Sequence, residues 1–199
     1  MKKLIVITGG ACAGKTEALK SIKDYLSNLG YNVYIQNEIP TMLITSGVTP
    51  QNIGKMNFLE LVIDIQIEMQ KKYEKAISFS KETKNVIIFD GSPIDALKFI
   101  TKKEFDEIIE KYGLTYDKLL NNYDGILHLE TVAKKFPEFY TTENNIARMN
   151  DVNVAIERDN KLLDAYKLHS NRVIISSYKN LEEKKDKVLE GLCKILNID

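Results

Sequence analysis

Cysteine is scarce in this chain: 199 residues carry only Cys12 and Cys193, far apart in sequence. So few exclude a disulfide framework and a cysteine-rich zinc cluster, and they fit a reducing compartment. Excess charge of either sign is also missing. The 28 Lys and Arg balance the 28 Asp and Glu, so no strong field draws the protein to nucleic acid or to an anionic membrane. No long apolar run is present. The one that follows Lys2 and Lys3 stops at a glycine turn after about five residues, too short for a signal core or a membrane span. A cytoplasmic protein is expected. Linkers, internal repeats and low-complexity tracts are absent too, and the length suits one well-buried domain spanning residues 1–199. Arginine is rare as well. Only Arg148, Arg158 and Arg172 occur, which makes the position of each worth reading.

What is present begins at T-GGACAGKT, directly after the apolar run Leu4 to Ile7. Gly9, four residues, Gly14, Lys15 and Thr16 satisfy the phosphate-loop pattern G-x-x-x-x-G-K-[ST], which has meaning only between a strand and a helix. Both flanks qualify. The run before it reads as a strand buried on both faces, and Ala18, Leu19, Ile22, Tyr25, Leu26 and Leu29 after it keep helical spacing until Gly30.

Further strands are read in YNVYIQNE, NVIIFD, YDGILHLE and RVIISS. The segment TSGVTPQNIG has the residues of a surface connection. A long helix is expected over FLELVIDIQIEMQKKYEKAISF, and interrupted helix from Ile94 to Tyr123, with ITKKEFDEIIEKYG exposed. Two more helices follow, VNVAIERDNKLLDAYKLH and LEEKKDKVLEGLCKIL. Five strands alternating with helices imply an α/β fold with a parallel sheet covered on both faces by right-handed crossovers. Ligands bind such sheets at the carboxyl ends of the strands, where Gly9–Thr16, Glu38, Asp90 and Glu130 all fall.

The loop Gly9, Gly10, Ala11, Cys12, Ala13, Gly14, Lys15, Thr16 and the adjoining Glu17 form the candidate nucleotide site. Backbone N–H groups at the helix start cradle phosphates, Lys15 neutralises the β- and γ-phosphates, and the Thr16 hydroxyl holds Mg²⁺. Cys12 reads as a small residue tolerated in the loop. Asp90 ends the run VIIFD and is the second candidate Mg²⁺ or proton-accepting residue. The alternative is an N-cap, but Ser92, Pro93 and Asp95 already supply a cap signal and release Asp90 for chemistry. Glu38 follows the second strand and is either a substrate-side carboxylate or a solvated one. Arg148 and Arg158 bracket a helix start after the polar segment FPEFYTTENNIARMND. A lid-like segment at about 131–151 that carries arginines can close on a transferring phosphoryl group. His128 and His169 have no metal-ligand company at useful spacing and read as structural. The guanine-reading motif N-K-x-D does not follow a strand, so ATP and GTP stay equally open.

Taken together, ITGGACAGKT, NEIPTMLITSG, YDGILHLETVA and above all EFYTTENNIARMNDVNVAIERDNKLLDAYKLH resemble an AAA-type P-loop domain. It is the domain of NadR-like nicotinamide riboside kinases and GTP-binding TRP-translocation-defect proteins. The resemblance spans nearly the whole chain. It implies a three-layer, kinase-like P-loop NTPase with sheet order 2-3-1-4-5, a nucleotide at Gly9–Thr16 and a lid role for Arg148. Relatives commonly carry an arginine after the third-strand aspartate, whereas Asp90 is followed here by Gly91 and Ser92. Some eukaryotic relatives add a triphosphate-tunnel domain, which is not expected here.

Two functions follow. The first is a Mg²⁺-dependent kinase or NTPase acting on a small, nucleoside-like phosphate acceptor, with Lys15, Asp90, Arg148 and Arg158 catalytic. The second is a nucleotide-dependent switch with little turnover, favoured by the missing arginine. An AAA⁺ ring motor is disfavoured because no helical subdomain follows the core.

Overall fold

The computed structural model describes residues 2–140 and 151–198. Its central strand, β1 (Lys2–Gly9), is apolar without alternation because both of its faces are covered. Leu4 and Val6 belong to one core cluster, Ile5 and Ile7 to the other. The same division runs through β3 (Asn85–Asp90), with Ile87 and Phe89 on one side and Val86 and Ile88 on the other. Each fully buried side chain of this size contributes about 1.5–3 kcal/mol, so the paired central strands anchor the domain.

With β2 (Asn32–Gln36), β4 (Gly125–Leu129) and β5 (Arg172–Ile175), the sheet has five strands in the order β2-β3-β1-β4-β5, all parallel. Both the three-layer class and the order expected from the sequence resemblance are found. One face is covered by α1 (Lys15–Asn28) and α8 (Leu181–Leu196), through Leu19, Ile22, Leu26, Val188, Leu192 and Ile195. The other face is covered by α4 (Lys55–Ser78), α5 (Lys102–Glu110), α6 (Tyr116–Asn121) and α7 (Val152–Ala165). Short helices α2 (Ile39–Thr45) and α3 (Pro50–Ile53) pack on α4 as a third, smaller cluster.

Three local readings change. The stretch Lys102–Glu110 is not simply exposed: Phe105, Ile108 and Ile109 are buried, so α5 is amphipathic and only its charged face meets water. The connection at 45–54 holds a helical turn, because Thr49 and Asn52 form a reciprocal capping box around Pro50. Lastly, α4 starts at Lys55, three residues earlier than its apolar pattern.

Candidate functional site

The loop leaves β1 at Gly9, whose φ of 144° and contact with the β4 end both demand glycine. A Cβ there would stand 2.0 Å from the Leu129 carbonyl oxygen. Gly14, at φ 77°, opens α1, and Ala18 N–H donates to its carbonyl at 3.0 Å. Cys12 takes φ 55° without being glycine, a conformation that costs about 1 kcal/mol and marks a constrained turn. Lys15 Nζ donates to the Gly9 and Gly10 carbonyls at 3.2 and 3.3 Å, which closes the loop on itself. Thr16 and Glu17 are exposed at the start of α1.

Gly9–Glu17 line a cleft of about 790 Å³ together with Glu38, Asp90, Lys98, Ala155, Arg158 and Tyr178. The fold therefore brings four of the predicted elements together: the loop with its Lys15, Glu38, Asp90 and Arg158. Arg148, and with it residues 141–150 of the expected lid, lie outside the described residues. The Arg158 guanidinium stands over the Phe99 ring at 4.8 Å, held on the cleft wall by a cation–π contact. Glu130 is turned away from the cleft in its pairings, with Lys134 at 3.1 Å and Ser176 at 3.2 Å.

Asp90 is buried at the end of β3, in register with Ile7 of β1. Its Oδ1 has no hydrogen-bond partner among the described residues. Burial pushes its carboxyl up to about 6, with Glu38 and Asp95 adding to the rise and Lys15 and Lys98 opposing it. The cap is supplied by Ser92, as expected: its Oγ accepts from Ile94 N–H at 3.2 Å. Ser92 Oγ also lies 2.6 Å from the Tyr166 hydroxyl, which donates to Asp95 Oδ1 at 2.6 Å. Thr8 donates to that same oxygen at 3.0 Å. This network fixes the turn behind Asp90. A second, small cavity opens beside it, walled by Leu59, Val62 and Phe99 and floored by Gln66, Asp90 and Asp95. The buried Gln66 Oε1 is likewise unpartnered among the described residues. Glu38, which accepts from Thr41 at 2.7 Å, borders both spaces.

A family model described as AAA domain matches residues 4–184. The chain belongs to that family. Among curated proteins, none matches the AAA domain chain in sequence. Solved structures do share its fold. A NadR protein in complex with NAD and AMP-PNP matches with a TM-score of 0.66 at 13% identity, covering 100% of this chain and 50% of that one. The present AAA domain thus spans about half the length of that NadR chain. Thymidylate kinase from Ehrlichia chaffeensis matches with a TM-score of 0.62 at 16% identity, covering 98% of both chains. Deoxyadenosine kinase from M. mycoides, with dCMP and dCDP bound, matches with a TM-score of 0.62 at 14% identity over 96% of this chain and 98% of that one. The kinase-like P-loop fold read from the sequence is therefore established.

Four residues around the phosphate loop of this AAA domain escaped sequence reading. Asp159 on α7 is fully buried and accepts the Gly10 N–H at 2.7 Å. Lys134 pairs with Asp159 at 2.6 Å, and Thr131 Oγ1 donates to the Ala11 carbonyl at 2.5 Å. Lys184 on α8 is buried behind Gly14, with its Nζ 3.4 Å from the Glu130 carbonyl. Burial pulls its ammonium down to about 8, helped by the nearby Lys15 and opposed by Asp159. A signal existed. Asp159 shares a helical face with Ala155, Leu162 and Tyr166, and Lys184 with Val188, Leu192 and Ile195. A charge on an apolar stripe at that spacing needs a partner, and here the partner is the loop.

Among the described residues no cluster of His, Cys, Asp and Glu could by itself hold a metal ion, and no helix is long and apolar enough to cross a membrane. Cys12 and Cys193 form no disulfide.

Proposed function

We propose that this protein is a Mg²⁺-dependent phosphotransferase that moves the terminal phosphoryl group of a nucleoside triphosphate to a small, nucleoside-like hydroxyl acceptor. One observation carries the reading. The glycine loop and Lys15 line one cleft with the buried, unpartnered Asp90 oxygen, and that carboxylate also floors a second, apolar-walled cavity. A donor and an acceptor sharing the cleft would meet at Asp90, and the second cavity, at about 30 Å³, has room for no more than one small group of the acceptor.

The residues fit Mg²⁺: an exposed Thr16 hydroxyl beside the loop and a buried carboxylate oxygen with no protein donor are hard oxygen ligands. Bound there, Mg²⁺ would neutralise charge on the β- and γ-phosphates. The protein's own groups would do the rest. Loop amides and Lys15 orient the triphosphate, with the α1 N-terminus adding its dipole. The acceptor hydroxyl oxygen bonds to the γ-phosphorus as the bond to the β-phosphate oxygen breaks, and the nucleoside diphosphate leaves. Where it does not itself hold Mg²⁺, the Asp90 carboxylate would take the hydroxyl proton. Arg158, on the cleft wall, would meet charge developing on the transferring group.

The runner-up is a nucleotide-dependent switch with little turnover. Gly91 and Ser92 following Asp90, where kinase relatives commonly carry an arginine, favour it. Identifying the nucleotide that copurifies with the protein, then assaying a panel of nucleosides for phosphorylated product, tests the proposal. Transfer to at least one nucleoside, lost in Asp90→Asn, is expected. Tight nucleotide binding with no product and no phosphate release would leave the switch.

A further inference from the structure

The phosphate-loop pattern fixes Gly9 and Gly14 but leaves the residue after Gly9 free. Here it is Gly10, and its backbone gives no reason for glycine, since it is absent from the positive-φ residues. Space gives the reason. A Cβ on Gly10 would stand 2.9 Å from Asp159 Oδ1 and 2.9 Å from the Thr131 Cβ. The carboxylate has come so close because it accepts the Gly10 N–H at 2.7 Å.

A carboxylate behind an anion site is a liability unless its charge is held. Asp159 Oδ2 lies 2.6 Å from Lys134 Nζ, and Oδ1 lies 3.2 Å from His128 Nε2. Neither is an aligned hydrogen bond, and the Lys134 ammonium supplies the positive charge. Lys134 reaches on to Glu130 at 3.1 Å, so the ammonium is shared by two carboxylates. Burial works against ionised Asp159, but the His128 ring and Lys134 outweigh it and hold the carboxyl below its usual range. On the preceding residue of α7, Arg158 stands on the cleft wall. One helix therefore carries both the support of the loop and the cleft arginine.

We infer that Asp159 is a positioning residue for the phosphate loop, accepting the Gly10 N–H while Lys134 cancels its charge so that it does not repel bound phosphate. The inference rests on the reading of Gly9–Thr16 as the nucleotide site. It makes charge balance behind the loop a determinant of affinity, with no contact between Asp159 and nucleotide.

The test is calorimetric titration of the full chain with Mg²⁺ and non-hydrolysable adenosine and guanosine triphosphates, on wild type, Asp159→Ala, Lys134→Met and the double variant Asp159→Asn/Lys134→Met. Asp159→Ala should weaken binding about tenfold or more, the worth of one charge-assisted hydrogen bond. Lys134→Met should weaken it too, increasingly at low salt, because an uncompensated carboxylate then faces the phosphates. The double variant keeps an acceptor for Gly10 without a charge and should return to within about threefold of wild type. Such rescue is not expected of packing alone. Asp159→Ala that melts cooperatively and binds as wild type overturns the inference. So does a double variant that binds more weakly than Lys134→Met, a comparison that holds even if Asp159→Ala fails to fold. Wild type that binds neither nucleotide defeats the nucleotide reading itself, and this inference with it.

Discussion

The loop after β1 and the turn after β3 stand side by side, since Ile7 and Asp90 are register partners, yet they are built on different principles. The first is made of backbone: Gly9 and Gly14 adopt positive φ, Lys15 folds onto two carbonyls, and side chains are few. The second is made of side chains: Asp90 buried, Ser92 capping, and Asp95 held by Thr8 and Tyr166. A backbone-built site has one steric solution, so its glycines repeat at fixed spacing. A side-chain-built site has many solutions, and its members come from β1, β3, the turn after β3 and the residue that follows α7.

If the contrast holds, geometry should dominate in the first region and ionisation in the second. The largest effect is expected from Gly9→Ala. Its Cβ would meet backbone at 2.0 Å, and relief requires moving β1 from β4, at a cost of about 3–5 kcal/mol. Chemical denaturation would measure it, and an unchanged midpoint would mean that the loop has more room than its backbone indicates.

Asp90→Asn should act oppositely, through charge. Below pH 3.8 the carboxyl is protonated whether folded or unfolded, so the variant should match wild type. Between 3.8 and about 6 the unfolded chain releases the proton first, and wild-type stability falls as pH rises. Above about 6 the full penalty, about 3 kcal/mol at most, is present, and Asp90→Asn should be the more stable protein while losing turnover. Melting curves at pH 4 and pH 8 beside a product assay decide it. Equal stability at both would show that Asp90 already has a partner for its charge.

Lys15→Ala comes next. Loss of a charge-assisted contact to phosphate should weaken Mg–nucleotide binding by about 1.5–3 kcal/mol, with little change in melting. Titration calorimetry reads this directly, and unchanged affinity would remove Lys15 from the site. The smallest effect is expected from Ser92→Ala, which removes one cap bond from the side-chain region at about 1 kcal/mol. A larger loss in its thermal melt would show that the Tyr166–Asp95 network depends on Ser92 rather than standing beside it.

Much of the fold was legible because buried parallel strands leave continuous apolar runs such as LIVI and VIIF, and because glycine punctuates the loop. Element ends and short helices were less so. The turn of α3 and the buried face of α5 depend on capping and docking that composition hides. Within the site, Lys15, Thr16 and Asp90 were readable from their places after strands. Asp159, Lys134 and Gln66 were not, because helical position alone does not say which loop a buried polar group will meet. The rule that could have found two of these is general: a polar residue on an apolar stripe declares an unseen partner. Gln66, beside Leu59, Val62 and Ile63 on α4, obeys it too.

The strand pairing also sets an order of events in synthesis. β1 is made before its partners Asn85–Asp90 and Gly125–Leu129, and loops that long close slowly. The glycine turn that follows it is therefore made well before it is completed, since its Gly10 amide waits for residue 159. Until α7 docks, a nascent chain carries the sequence of a phosphate site without its support, and nucleotide can stabilise the domain only after residue 159 has been made and packed.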